Sequence, residues 1–352
     1  MTSSGNFSAV PEFILTEIFS YFTYKELCKL ECVCQQWLRV VGSIVRSQIR
    51  ELVVRQLSAY ETPFVTQQIA LARLSLYCSY ESTNLLMGVL RRSNGSVTKL
   101  SCDIRLITDM NKITHAGEYS QLFWDSLTEM RLVITRLTDR MLQNFLSVQS
   151  VLFQNLRKIA LQVHEDMSRP EDVSLVISSF VQRSPVVINL ELHASRSEQI
   201  FRQIETLLPV RLNLLKLINV AHDLLPISLT DLAAICSERQ IFFDYLYLRD
   251  WTLTCLPQWP ILHSPICDLR LSSCVIQNVN DFTDALECAL ADYKAKCGSD
   301  ICVPLLRVIE FAGLCAFKGL ERPNLAAHLE FAQRLTAKIP DLTFDFSDIC
   351  TE

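Results

Sequence analysis

The chain has 352 residues, 49% of them apolar and 20% charged, and a formal net charge of −5 with an isoelectric point near 5.8. That balance describes a well-buried protein too long for one compact core, so two domains or a solenoid are expected. It gives no electrostatic footprint for nucleic acid, and no apolar run approaches the ~18 residues of a membrane span.

The N-terminus, Met-Thr-Ser-Ser-Gly-Asn-Phe-Ser, carries neither a basic region nor an apolar run, so no signal peptide is read there. Fourteen cysteines lie within apolar surroundings and are expected to be reduced, buried thiols. Cytoplasmic and/or nuclear residence is expected.

Residues 10–22 read Val-Pro-Glu-Phe-Ile-Leu-Thr-Glu-Ile-Phe-Ser-Tyr-Phe. Pro11 suits the first position of a helix, and Glu12 and Glu17 favour its positive end. Ile14, Ile18, Tyr21 and Phe22 share one helical stripe, which Leu15 and Phe19 widen. Thr23-x-x-Glu26 is a capping-box pattern for a second helix with Leu27 and Leu30. A third is expected from about Val33, carrying Trp37, Val41 and Ile44. Three such helices expose more apolar surface than so small a bundle can hide, so either a partner or the rest of one larger domain must cover it.

From residue 49 the chain alternates strand-like and helical stretches. The strand-like runs have the form φ-x-x-φ-x-φ, as in Leu71-x-x-Leu74-x-Leu76, Leu156-x-x-Ile159-x-Leu161 and Val187-x-x-Leu190-x-Leu192. Leu212-x-x-Leu215-x-Leu217, Phe243-x-x-Leu246-x-Leu248 and Ile266-x-x-Leu269-x-Leu271 continue the series, and weaker members centre on Leu52, Leu100, Met130, Ile309 and Leu342. The ten intervals from Leu52 to Leu342 average 29 residues. Between the runs lie helix signals: Pro170 with Glu171 and Asp172 ahead of Val173, Ile177, Phe180 and Val181; Ser228-x-x-Asp231 ahead of Leu232 and Cys236; Asn280 ahead of Phe282, Leu286, Ala289 and Leu290; and Pro323 ahead of Leu325, Leu329 and Ala332. One strand and one helix per ~29 residues is a coil of a solenoid; a non-repeat α/β domain is the alternative.

Catalytic signatures are absent from the sequence. The eight glycines form neither GxGxxG nor GxxxxGK[ST], and there is no GxSxG or HExxH. His164-Glu165-Asp166 reads as a solvated loop. Cys28-x3-Cys32-x-Cys34 lacks the fourth ligand of a closed zinc site, and Cys34 is expected to be a small buried residue. No catalytic residue, metal or cofactor is expected.

The set Val10, Pro11, Ile14, Leu15, Ile18, Leu27, Val33, Cys34 and Trp37 resembles the F-box, and the whole chain from about residue 10 resembles the F-box/leucine-rich-repeat family. It departs from the pattern at Val10, where Leu usually precedes the Pro, and at Gln35 and Gln36, where basic residues often follow the Cys. The resemblance implies an α/β fold in which a three-helix F-box (residues 9–48) precedes an irregular leucine-rich-repeat solenoid (residues 49–352), a curved parallel sheet with outer helices. It implies that those nine residues dock a Skp-type adaptor and, through it, a cullin–RING ubiquitin ligase. The chain would then be a non-catalytic receptor holding a target protein for ubiquitination, or a non-degradative scaffold of the same fold. The family's Asn or Cys after the second strand Leu is matched clearly only at Cys274.

In a horseshoe the strand positions between the apolar ones face the open side. They are Lys158, Ala160 and Gln162; Asn189, Glu191 and His193; Leu214, Lys216 and Ile218; Tyr245, Tyr247 and Arg249; and Asp268, Arg270 and Ser272. Tyr245, Tyr247, Arg249 and Arg270 are the candidate target-binding cluster, since Tyr and Arg dominate binding hot spots. The plainer alternative is that they only cover an exposed sheet.

Overall fold

A computed structural model describes residues 10–22, 24–48, 51–56, 69–70, 73–78, 97–107, 124–134, 137–164, 169–183, 186–256, 268–297, 308–312, 316–317, 325–338 and 343–345. The chain packs into two compact units, Met1–Val133 with Asp139–Ile159, and Ile134–Thr138 with Ala160–Glu352.

The first unit opens with three helices, α1 (Glu12–Phe19), α2 (Tyr24–Leu30) and α3 (Gln35–Gln48). Pro11 is the N-cap of α1 rather than its first helical residue. Its carbonyl accepts from the N–H groups of Ile14 and Leu15, a role that needs no N–H of its own. Helix α3 starts two residues later than Val33, because Val33 still bonds back to Leu30 in a turn. Thr23 lies outside the described residues. The bundle core is Leu15, Phe19, Leu27, Val40, Val41, Ile44 and Val45, all buried. Phe19 meets Trp37 edge to face with ring centroids 5.1 Å apart.

Strands β1 (Glu51–Gln56), β2 (Ile69–Ala70), β3 (Arg73–Cys78), β4 (Lys99–Asp103) and β5 (Glu129–Ile134) follow, in spatial order β5-β4-β1-β3-β2 and parallel except for the β2–β3 pair. Helix α4 (Asp139–Leu152) comes next, burying Leu142 and Phe145. The 29-residue period is visible in the hydrogen bonds. The Ser126 hydroxyl donates to the Val97 carbonyl (2.6 Å), and 29 residues later the Asn155 amide donates to the Asp125 carbonyl (2.7 Å). Trp124 and Phe153, the same distance apart in sequence, stack edge to face at 5.4 Å.

The second unit contains β6 (Lys158–His164), α5 (Pro170–Val181), β7 (Val187–Ala194), α6 (Ser197–Glu205), β8 (Val210–Asn219), β9 (Pro226–Ser228), α7 (Leu229–Glu238), β10 (Ile241–Arg249) and β11 (Thr252–Thr254). It continues with β12 (Asp268–Ser272), β13 (Val275–Ile276), α8 (Val279–Cys297), β14 (Val308–Ala312), β15 (Ala316–Phe317), α9 (Leu325–Lys338) and β16 (Thr343–Asp345). The long strands run in order β16-β14-β12-β10-β8-β7-β6. Leu190, Leu215, Leu246, Leu269 and Ile309 are direct cross-strand partners in turn, so the apolar repeat centres of the sequence are the sheet register itself. At the last strand the expected centre shifts by two residues: Phe344, not Leu342, lies opposite Ile309, and Leu342 falls outside the described residues.

The short strands β9, β11, β13 and β15 form a second parallel sheet that the apolar period does not announce. Ile227, Leu253 and Ile276 are in register within it and buried. Asp250 (φ 61°) and Ser273 (φ 51°) take left-handed conformations at equivalent points, turning the chain from long strand to short strand.

The residue after each of these turns completes the loop. Trp251 Nε1 donates to the Leu217 carbonyl (3.2 Å) and Cys274 Sγ to the Leu248 carbonyl (3.4 Å), each reaching the strand before its own. The polar ladder therefore has a second member where the sequence showed only Cys274, because an indole N–H replaces a side-chain amide as donor. Asn219 adds to it, donating to the carbonyls of Asp223 and Asp250.

Helix starts follow local chemistry. Pro170 occupies the first turn of α5 with Glu171 and Asp172, and Val173, Val176, Ile177 and Phe180 are buried, while Val181 is exposed. Ser228 caps α7 by accepting from the Asp231 N–H. For α8 the cap is Asn278, whose Oδ1 accepts from the N–H groups of Asn280 and Asp281, so the helix starts before Asn280 instead of after it. In α9 Ala332 is buried but Leu329 is exposed; Pro323 lies outside the described residues.

Candidate binding surfaces

The helical surface of the first unit divides the predicted adaptor-binding residues by burial. Leu15 and Leu27 are inside the bundle. Val10 and Trp37 are half-buried, and Pro11, Ile14, Ile18, Val33 and Cys34 are exposed. The stripe of α1 is accordingly turned. Leu15 and Phe19 face the core, while Ile14 (39% exposed), Ile18 (46%) and Tyr21 (81%) face solvent, joined by Phe13 (74%). A short helix and its end that show four large apolar side chains to water present a surface awaiting cover.

Cys34 is exposed, as is Cys32, which corrects the expectation of buried thiols here; the turn between α2 and α3 points both outward. Elsewhere Cys102, Cys236 and Cys274 are buried. Gln36, one of the departures from the family pattern, holds the chain in place: its Nε2 donates to the Val10 carbonyl (2.8 Å), fixing the approach to α1.

The second unit offers a strand face. The predicted outward positions are in register across it, in the row Glu191–Lys216–Tyr247–Arg270–Glu310 and the row Asn189–Leu214–Tyr245–Asp268–Val308. In the first row Lys216 Nζ lies 3.4 Å from Glu191 Oε1 and 5.0 Å from the Tyr247 ring centroid. Arg270 lies 5.3 Å from the same centroid, and its Nη2 is 3.1 Å from Glu310 Oε1. Glu191 Oε1 also meets His193 Nε2 at 2.7 Å.

From Lys216 to Glu310 and from Leu214 to Val308 these rows line a cleft of about 610 Å³ that includes Tyr245, Tyr247 and Arg270 of the predicted cluster. Arg249 stands in the next row beside Ile218 and Ser272, pairs with Asp250 (3.0 Å), and is not part of the cleft lining. Ile218 and His193 are both buried, contrary to their expected outward positions. His164 belongs to β6 and stacks on His193 with ring centroids 4.4 Å apart, so it is not part of a solvated loop. Sequence reasoning missed the acidic members Asp268 and Glu310 of the cleft as partners of the Tyr/Arg cluster; their place follows once the register is known.

A second, polar hollow of about 400 Å³ is lined by Thr254, Cys255, Gln277, Asn278 and Asp281. Burial and the nearby Asp281 carboxylate push the Cys255 thiol up to about 12, which holds it protonated and unreactive. Among the described residues no three His, Cys, Asp or Glu side chains cluster to hold a metal ion, and no helix is long and apolar enough to cross a membrane.

A bundle of three short helices with an uncovered apolar face, followed by parallel strands and helices at a period near 29, defines the class. The comparisons agree. Residues 7–47 match the family described as F-box-like, so the chain carries an F-box-like domain at its N-terminus, ahead of a mostly parallel α/β repeat region. The chain is also similar to the "Uncharacterized F-box protein ZK328.6" of Caenorhabditis elegans, with 28% identity over an alignment of 391 positions, gaps included, that spans 99% of each sequence.

Proposed function

We propose that this chain is the substrate-recognition subunit of an SCF-type ubiquitin ligase. Residues 9–48 dock a Skp-type adaptor and through it a cullin–RING ligase, and residues 49–352, of leucine-rich-repeat type, hold a target protein. The observation that carries the reading is the apolar side of α1, exposed on a domain matched as F-box-like. Ile14 and Ile18 supply the centre of the docking face, with Val10, Pro11, Val33, Cys34 and the rim of Trp37 around them. Leu15 and Leu27 hold it from beneath. Each such side chain buried by a partner is worth about 1.5–3 kcal/mol, enough for a handful to support a stable complex.

The subunit needs no catalytic side chain. Its contribution is positional, raising the effective concentration of target at the ligase. Affinity purification with and without proteasome inhibition tests the reading: adaptor, cullin and ubiquitin-conjugated proteins accumulating under inhibition are expected. Adaptor without cullin or conjugates would point to a non-degradative scaffold, and no adaptor at all would remove the F-box role.

A further inference from the structure

The cleft on the strand face of the second unit has one unmet chemical requirement. Both cations in its central row already have anions, Lys216 with Glu191 and Arg270 with Glu310, and both lie against Tyr247. The neighbouring row differs. There Asp268 stands in register between Tyr245 and Val308, and its Oδ1 is enclosed without accepting a hydrogen bond from any of the described residues. An enclosed carboxylate oxygen with no donor is a standing cost, relieved by any ligand that brings an N–H to that carboxylate and most of all by a cationic one.

The surroundings select among donors. Tyr245 is 37% exposed on one side of Asp268, with Leu214 beyond it, and Val308 is on the other. A carboxylate flanked by an aromatic ring and aliphatic side chains matches a side chain with an apolar stem and a flat cationic head. Guanidinium fits better than ammonium because its plane stacks on the ring while its edge donates to the carboxylate. An acidic or phosphorylated segment would have to break the Arg270–Glu310 pair and meet Asp268 and Glu310 uncompensated.

We propose that this cleft receives an arginine side chain of the target protein, seated between Tyr245 and Asp268. The inference rests on the reading of the second unit as the target-binding region and names the chemistry it selects. The probe is N-acetyl-arginine methylamide titrated into the full chain, beside N-acetyl-glutamate methylamide and phenyl phosphate, with binding followed by calorimetry or chemical shifts. The arginine probe is expected to bind at least about tenfold tighter than either anion. Asp268→Asn, an isosteric change, and Tyr245→Ala, at an exposed ring, should each weaken it at least about fivefold, while Arg202→Met, exposed on α6 and outside the cleft lining, leaves it unchanged. No arginine preference, or phenyl phosphate binding that disappears in Lys216→Met, overturns the proposal. Adaptor binding measured on the same samples separates the two levels: if it is intact while arginine selectivity fails, only this inference falls, and if it is absent the broader reading falls.

Discussion

Lys216 Nζ lies 5.0 Å from the centroid of the Tyr247 ring, and Arg270 approaches the same ring to 5.3 Å from the strand on the other side. One aromatic ring thus separates two cations, each tied outward to a glutamate. The row is electrically closed, which preorganises Tyr247 and leaves its neighbours to do the recognising.

Replacing Tyr247 and Arg249 together by Ala should weaken target binding by removing the ring that orders the central row of the cleft, while sparing the fold. Both side chains are on the outer strand face, and surface changes of this kind shift stability by about 0.5 kcal/mol or little more. Adaptor binding and melting temperature are expected to match the parent. An unchanged set of repeat-dependent interactors in this folded double variant would show that the two side chains only cover the sheet.

The helical unit separates docking from folding more sharply. Leu27 is fully buried, so Leu27→Ala should destabilise the protein by about 2–5 kcal/mol. Ile14 and Ile18 are partly in solvent, and Ile14→Ala with Ile18→Ala should cost less than about 1 kcal/mol of stability yet weaken the adaptor complex by about tenfold each, about 1.4 kcal/mol, and about a hundredfold together. Denaturant melts and adaptor titrations on the same variants measure both. A double variant that binds adaptor normally would move the docking face elsewhere.

Much of this architecture was legible in the sequence because the repeat's apolar centres must align to bury one face of a parallel sheet. Leu190 through Ile309 in turn follow from that single requirement. Strand β1, by contrast, lies between β3 and β4, so Leu52 pairs with both Leu74 and Leu100 and the strand order there departs from chain succession. Less legible was everything that depends on which way a short element turns. Ile14 and Leu15 are equally apolar, yet Leu15 shares the inward face of α1 with Phe19, which packs on Trp37, while Ile14 stays out. The short second sheet has strands of two or three residues, too brief for any period to register. Helix α6 also escaped notice, its Ile200 and Ile204 making too short a stripe.

Trp251 shows how a chemical equivalence hides behind a dissimilar letter. Its indole N–H and the Cys274 thiol serve the carbonyls of Leu217 and Leu248 in the same way. Trp251→Phe keeps a ring but strands a buried acceptor, and should cost about 1–3 kcal/mol. Cys274→Val should cost less, since a thiol is a weak donor and valine is close in volume. Equal losses, measured as shifts in urea midpoint, would mean that packing alone and not the donated hydrogen bond matters at these positions.

The cysteines give the last prediction, and its sign is set by burial. Desolvation pushes the Cys236 thiol up to about 12 from about 9 in the unfolded chain. Below pH 9 the thiol is protonated in both states and contributes no pH dependence. As pH rises from 9 toward 12 the unfolded chain releases a proton that the folded chain keeps, so stability falls across that window. Urea midpoints should hold steady up to about pH 8.5 and decline by about pH 10.5, and a Cys236→Ala variant, less stable at the start, should decline less steeply. Alkylation gives an independent readout. At about pH 8, iodoacetamide should label the exposed Cys32 and Cys34 in the folded protein while Cys236 and Cys255 stay unmodified, because the thiolate is the reacting species and burial suppresses it. Labelling of Cys236 at the rate of Cys32, or identical pH slopes for the parent and the Cys236→Ala variant, would contradict the placement of that thiol beneath α7.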